Sequence, residues 1–223
     1  MQLSKAEEDY LKALFQLSKE AGDERAGTNR LADYLEVSPA SVHHMLKRLK
    51  EKNLVAYEKY GKVELTESGE ALAVWLIRKH RLWETFLYRH MNFSWDEVHA
   101  VAEQLEHIQS AKLVEELDKF LGFPASDPHG AVIPDALGVY RQEERTTLST
   151  VPPGELCYLK AVADDSVALL RHASQLGLSL HTAIRVRELR EFDGTMLVEI
   201  AGQSHTISKT FAEHLFVDGV SVS

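Results

Sequence analysis

The sequence predicts a mainly α-helical chain that ends in a small β domain. Three observations predict it. Apolar residues recur at spacings of three and four over most of the N-terminal half, as buried helix faces require. A basic helical stretch near residue 45 is followed by two short β-rich runs. From about residue 148 onward, short β-type runs alternate with turns.

Residues 4 to 20 read as the first helix, with Ala6, Tyr10, Leu14 and Leu17 on one inward face. A second helix starts at Thr28, an N-cap residue type, and turns Leu31, Ala32 and Leu35 inward. EVSPAS then supplies a turn, an N-cap at Ser38 and a proline at the first helical position, Pro39. The helix that follows buries Val42, Met45, Leu46 and Leu49. LVAYEKYGKVELT reads as a hairpin turning at Tyr60-Gly61. Helix, turn, basic helix and hairpin together make a winged helix-turn-helix.

Thr66 to about His90 forms a long helix. SWDE, residues 94 to 97, is a capping box that opens the next. SAKLVEELDKFLGF is a further helix, stopped by Gly122 with Pro124 just beyond. Residues 123 to 147 hold three prolines and two glycines, Gly130 and Gly138, and read mostly as connector. ELCYLKAV, AIRVRELR, MLVEIAG and HTISK are the strands expected of a small β-barrel.

At 223 residues the chain has room for one large domain or two to three small ones. Hydrophobic residues at 44% and charged residues at 26% are globular values, which excludes a disordered chain. No apolar run is long enough to span a membrane, and MQLSKAEEDY has no apolar signal core. Cys157 is the sole cysteine, so no intramolecular disulfide forms; this fits a cytoplasmic protein.

The net charge of −9 argues at first against a nucleic-acid partner. Its distribution decides otherwise. Between residues 42 and 62 six cations (Lys47, Arg48, Lys50, Lys52, Lys59, Lys62) face two acids (Glu51, Glu58), which leaves a local charge of +4. A helix-turn-helix puts the start of its second helix into the major groove. Here that end offers Ser38, Pro39, Ala40, Ser41, His43 and His44, with Thr28 on the preceding helix. Ser and His can bond base edges or phosphates, and Pro and Ala can touch thymine methyls. Lys47, Arg48 and Lys62 suit phosphates, which position a protein without reading sequence. A solvated basic helix used for protein contacts is the alternative. Double-stranded, palindromic operator DNA bound by a homodimer is the expected partner, because one such unit buries little surface.

HAVAEQLEH, residues 99 to 107, carries His99, Glu103, Glu106 and His107 among Ala100, Val101, Ala102 and Leu105. Residues three and four apart share a helix face, so Glu103, Glu106 and His107 converge. RKHRLWE on the preceding helix adds His80 and Glu84, again four apart. Any one such side chain is most simply a solvated one. Six on two neighbouring helices are costly to bury unless paired or metal-bound. Imidazoles and carboxylates without thiolate or thioether suit Mn²⁺, with Fe²⁺ as the alternative; Zn²⁺ and Co²⁺ are expected to bind in vitro. A di-iron bundle enzyme is the competing class, but it wants Glu-x-x-His on two helices. The residue three before His107 is Gln104, which weakens that reading.

In order and spacing, these segments make the chain resemble the diphtheria-toxin-repressor family of metal-dependent transcription regulators. The carriers are EEDYLKALFQL, VSPASVHHMLKRLKEKNLV, YEKYGKVELTESG, RKHRLWETFL, VHAVAEQLEH and DPHGAVIP. The last third resembles the SH3-like domain shared with small iron-transport accessory proteins. The resemblance implies a winged helix-turn-helix over residues 1–70, a helical metal-binding and dimerisation domain over 71–140 and an SH3-like (FeoA-like) domain over 141–223. It implies a non-enzymatic regulator that represses metal-uptake genes. It implies a primary site of Asp9, Glu103, Glu106 and His107, and a second site of His80, Glu84 and His99. Asp164 and Asp165 are candidates to complete the latter. Iron-type members usually carry Met and Cys where this chain has Asp9 and Glu103, so both choices are manganese-type. Short manganese-type members carry a Glu ligand where this chain has Lys12, which favours two separated sites over a two-metal cluster.

Overall fold

The computed structural model describes residues 3–20, 27–57, 63–141, 145–163 and 166–219. They form two compact units. The first is built from the described parts of Met1–His80, Gln104–Glu116 and Ile133–Gln142, the second from those of Arg81–Glu103, Leu117–Val132 and Glu143–Ser223.

In the first unit, α1 (Lys5–Phe15) opens on a capping box in which Ser4 and Glu7 satisfy each other's backbone N–H groups. A short π-helical segment, Gln16–Glu20, extends it. Its inward face differs from the expected one: Ala6 is exposed, while Glu7 and Glu8 are buried. Polar partners described below hold those two acids inside, so ion pairing overrides the apolar periodicity in the first turn. Helix α2 (Thr28–Tyr34) is capped by Gly27, one residue before the expected Thr28. Helix α3 (Pro39–Glu51) begins as its sequence predicts, with Ser38 accepting the Ser41 N–H and proline in the first turn.

Strands β1 (Val55–Tyr57) and β2 (Val63–Leu65) pair antiparallel; the expected turn at Tyr60-Gly61, and Lys62, lie outside the described residues. Thr66 caps α4 (Glu67–His90) through the Gly69 N–H. Leu11, Leu14, Phe15, Leu31, Val42, Leu46, Leu49, Val63 and Ile77 form the core of this unit. Met45 and Leu35 are only partly buried against it.

Helix α5 (Val98–Leu105) ends one residue before Glu106, so Glu106 and His107 sit in the turn that follows rather than on the helix. Helix α6 (Ala111–Phe120) stops at Gly122, whose φ of +75° provides the left-handed turn.

The second unit carries a six-stranded antiparallel sheet of order β3-β8-β4-β5-β6-β7. Its strands are β3 (Thr146–Thr147), β4 (Leu156–Val162), β5 (Ala183–Leu189), β6 (Met196–Ile200), β7 (Gln203–Ile207) and β8 (Leu215–Asp218). The four strands expected from sequence are β4 to β7. The sequence reading missed α7 (Val167–Gln175) and α8 (Lys209–Glu213), whose buried Leu170, Ala173, Phe211 and Ala212 pack on the sheet. Trp95 joins the same core.

The stretch expected to be connector is partly ordered. Ser126 and Val132 form a β-bridge, and between them Asp127 Oδ1 accepts the N–H groups of His129 and Ala131. Val162 N–H donates to the His129 carbonyl at 2.8 Å, seating the loop on β4. Gly130 permits this approach: its φ is +87°, and a Cβ there would lie 2.2 Å from the Lys160 carbonyl oxygen. Gly130→Ala is therefore expected to cost at least about 2 kcal/mol, read as a lower midpoint in urea unfolding followed by near-UV circular dichroism. An unchanged midpoint would mean that the loop and β4 part freely.

Candidate metal centres and nucleic-acid interface

Three consecutive acids on α1 reach α3 and the His107 turn. Glu7, 1% exposed, holds the C-terminal half of α3 through Lys52 Nζ at 2.7 Å and Arg48 at 3.3 Å. Burial raises the Glu7 carboxyl, but the Lys52 ammonium and the Ser4 hydrogen bonds outweigh it and hold the group below its ordinary value. Glu8 Oε2 lies 2.6 Å from His107 Nδ1, and its other oxygen accepts from Gln109 at 2.6 Å. Asp9 Oδ1 lies 3.2 Å from His107 Nε2.

The Glu8 contact fixes the tautomer. A carboxylate only accepts, so His107 Nδ1 carries a hydrogen, and in the neutral ring Nε2 presents a lone pair. That lone pair faces two carboxylates: Asp9, and Glu106 Oε1 at 3.9 Å. Neither Glu106 Oε1 nor His107 Nε2 makes a hydrogen bond, though both are buried. One ligand atom from each of Asp9, Glu106 and His107 lies within 4.8 Å of the others. A cation placed among these atoms would be held by two carboxylates and an imidazole. The oxygen and imidazole donors fit a hard or borderline divalent ion.

Glu106 is divided between two neighbourhoods. Its Oε2 accepts from Lys12 Nζ at 2.8 Å and lies 2.5 Å from His80 Nδ1. Burial alone would raise the Glu106 carboxyl, but the His80 hydrogen bond and the Lys12 charge bring it from 4.5 down to about 2. Lys79 is buried nearby. Desolvation pushes its ammonium down, against the opposing charges of Glu8 and Glu106.

In the second unit, Glu84 and His129 are both fully buried. His129 Nε2 lies 2.9 Å from the Trp95 carbonyl, which only accepts, so Nε2 is the donor. In the neutral ring Nδ1 then turns its lone pair toward Glu84 Oε2, 4.0 Å away. Asp127 completes a group whose ligand atoms lie within 4.8 Å of one another, and Arg81 Nε stands 3.6 Å from Asp127 Oδ2. Glu84 Oε1 faces His99 Nδ1 at 3.2 Å, and His99 Nε2 is 3.6 Å from Glu103.

Of the expected primary group, the first unit thus joins Asp9, Glu106 and His107, while Glu103 belongs to the second unit beside His99. Of the expected second group, Glu84 and His99 meet in the second unit; His80 belongs to the first and faces Lys12 and Glu106. Asp164 and Asp165 lie outside the described residues. Asp127 and His129 were missed as ligand candidates, as was Glu8. The signal was in DPHGAVIP, where an acid and an imidazole two residues apart flank a proline in a tight turn.

On α3, Ser38, Pro39, Ala40, Ser41, His43, His44, Lys47 and Arg48 are all exposed, and Thr28 on α2 is half-buried. Ser38 Oγ is engaged in capping Ser41, and Arg48 is held by Glu7. His43, His44 and Lys47 are exposed beside them.

Glu8→Ala should release the His107 ring while leaving Asp9 and Glu106 in the chain. Loss of such a supporting carboxylate is expected to weaken divalent-metal binding about 10- to 100-fold, measured by equilibrium dialysis with Mn²⁺. Unchanged binding would remove His107 Nε2 from the centre.

The chain is similar to known proteins over most of its length. The N-terminal DNA binding domain of iron dependent repressors matches residues 2–63. The iron dependent repressor metal binding and dimerisation domain matches residues 66–135, and the FeoA domain residues 146–219. The iron-dependent repressor IdeR of Mycobacterium tuberculosis is 35% identical over 127 residues, which cover 57% of this chain and 54% of that protein. The match therefore spans about half the length of that curated relative. A manganese-dependent transcriptional repressor solved in complex with manganese has a TM-score of 0.86 at 34% identity, over 97% of this chain and 100% of that one. The manganese regulator SloR has a TM-score of 0.77 at 36% identity, over 98% and 99%. The chain belongs to the iron-dependent repressor family, the family of the diphtheria toxin repressor.

Proposed function

We propose that this protein is a metal-dependent, DNA-binding transcriptional regulator, a homodimeric repressor of metal-uptake genes activated by Mn²⁺. The observation that carries this reading is the convergence of Asp9, the Glu106 Oε1 oxygen and the His107 Nε2 lone pair, with His107 locked in that tautomer by Glu8. Asp9, Glu106 and His107 would hold the ion, joined in the expectation from sequence by Glu103. When bound, the ion supplies a positive charge shared by two carboxylates and the imidazole. A second centre of Glu84, Asp127 and His129, with His99 against Glu84, is part of the proposal. Fe²⁺ is the second reading, favoured by the relation to IdeR. The oxygen and imidazole donors, without a sulfur ligand, favour Mn²⁺.

The chain's own residues connect the centre to the DNA-facing helix. Asp9 and Glu7 lie on one turn of α1; Asp9 faces His107 while Glu7 grips Lys52 and Arg48 of α3. Fixing Asp9 therefore constrains the helix that carries His43, His44 and Lys47. A homodimer on a palindromic operator needs its two recognition helices about 34 Å apart. The exposed Phe120 and Phe123, 63% and 68% accessible, support self-association; Phe120 lies 4.8 Å from the His90 ring and 6.0 Å from Phe86. Among the described residues no helix is long and apolar enough to cross a membrane.

The test is retardation of promoter DNA with chelator, then with Mn²⁺, Fe²⁺ and Zn²⁺ in turn under anaerobic conditions. Asp9→Ala is expected to leave a folded dimer whose DNA affinity no longer responds to Mn²⁺. A retained response, or DNA binding indifferent to chelator in the parent, would overturn the reading. His44→Ala should weaken cognate DNA by about 1–3 kcal/mol and random DNA less. Equal losses would make His44 a backbone contact.

A further inference from the structure

Helix α3 carries its cations on two flanks. His43, Lys47 and Lys50 recur at spacings of four and three and line a cavity of about 530 Å³ with Glu51 and Asn53. His44, Arg48 and Lys52 recur every four residues and form the neighbouring row, which runs along the helix to its C-cap. The last two of that row turn to α1. Arg48 and Lys52 both reach one oxygen, Glu7 Oε1, at 3.3 and 2.7 Å. Ser4 takes the other: its N–H and its hydroxyl donate to Glu7 Oε2 at 2.8 and 3.1 Å. Glu7 is thus 1% exposed, while the Arg48 and Lys52 side chains keep 46% and 28% of their surface in solvent. A DNA phosphate offers these cations the same kind of acceptor, a charged oxygen. Moving either one to a phosphate takes a partner away from a buried carboxylate, which is costly.

We infer that Glu7 is an affinity-setting residue that withholds Arg48 and Lys52 from DNA phosphates and so keeps sequence-independent binding weak. The inference rests on the DNA-binding reading above and adds which cations of α3 the DNA backbone meets. Phosphate contacts supply essentially all of the binding to random sequence, and each one adds to its salt dependence. The local charge of residues 42–62, +4 by sequence, falls to +2 once Arg48 and Lys52 are set aside. One buried acid on α1 thus halves the charge that this segment offers to a duplex of any sequence.

The test is the salt dependence of binding to a fluorescently labelled duplex of random sequence, followed by anisotropy with Mn²⁺ held constant. Glu7→Gln preserves the capping box, which accepts Gln as well as Glu, and removes the charge that holds the two cations. It is expected to bind the duplex more tightly than the parent at low salt. Its plot of log affinity against log salt is expected to be steeper by about 0.9 for each released cation that reaches a phosphate. A merely structural role for Glu7 would weaken binding without steepening the plot. Combining Glu7→Gln with Arg48→Gln and Lys52→Gln is expected to restore the parent's slope. A slope that is unchanged or shallower in Glu7→Gln, or that stays steep in the combined variant, overturns the inference.

Should Glu7→Gln fail to fold by circular dichroism, Lys52→Gln alone decides. Lys52 is withheld from DNA in the parent, so its loss is expected to leave the slope unchanged. A slope shallower by about 0.9 for each Lys52 removed would mean that Lys52 already meets a phosphate, and overturns the inference. Failure of the underlying reading is distinguishable: there the parent itself would not bind the duplex in Mn²⁺ at any salt, and the inference would fall with it.

Discussion

Charge burial on α1 is the constraint on which the first unit depends. Glu7, Glu8 and Lys12 are buried on a helix whose first turn would ordinarily face water, and each is answered by a group from elsewhere in the chain. Removing the partner of any of these three side chains leaves a buried charge uncompensated, which costs more than the pair contributes. The helix is therefore held by electrostatics at its start and by Leu11, Leu14 and Phe15 further along. A helix fixed at both ends transmits displacement rather than absorbing it.

How much of this was legible in the sequence follows from the range of the interactions. The start of α3 is set by Ser38 and Pro39, a local effect, and the sequence predicts it to the residue. Strands β4 to β6 announce themselves by alternation, because each buries one face. Ala6 went astray because spacing alone cannot tell that Glu7 and Glu8 have distant partners in Lys52 and His107. Helix α5 was extended over Glu106 and His107 because their spacing fits a helix, yet both residues reach their partners from a turn. Residues three or four apart can converge from either setting.

The second unit shows the same limit differently. A proline- and glycine-bearing stretch reads as connector because nothing in it is periodic. Its order comes from Asp127 folding its carboxylate onto two backbone N–H groups, and from Gly130 lying against β4. His129 becomes a possible ligand only because Trp95, more than thirty residues earlier, takes its Nε2 hydrogen. Trp95 is itself anchored in the sheet core and donates to the Pro128 carbonyl at 2.9 Å. The imidazole is aimed by tertiary packing, which no local pattern encodes.

These two kinds of placement bear on how the proposed regulator would couple its ligands. Asp9 and Glu7 are two residues apart on a rigid helix, so the centre at one and the grip on α3 at the other cannot relax independently. By linkage, whatever cation binding gains from the position of α3 that suits DNA, DNA binding gains from the cation, by the same factor. Such couplings are typically about 1–3 kcal/mol. Lys12 sets the baseline from which that coupling acts. Its ammonium draws Glu106 Oε2 to one side and leaves only Oε1 turned toward His107. A carboxylate divided in this way stays in position without an external cation, so the resting centre is held half-assembled. What remains to be fixed on binding is the Asp9 side of α1, which is also the side continuous with the grip on the recognition helix.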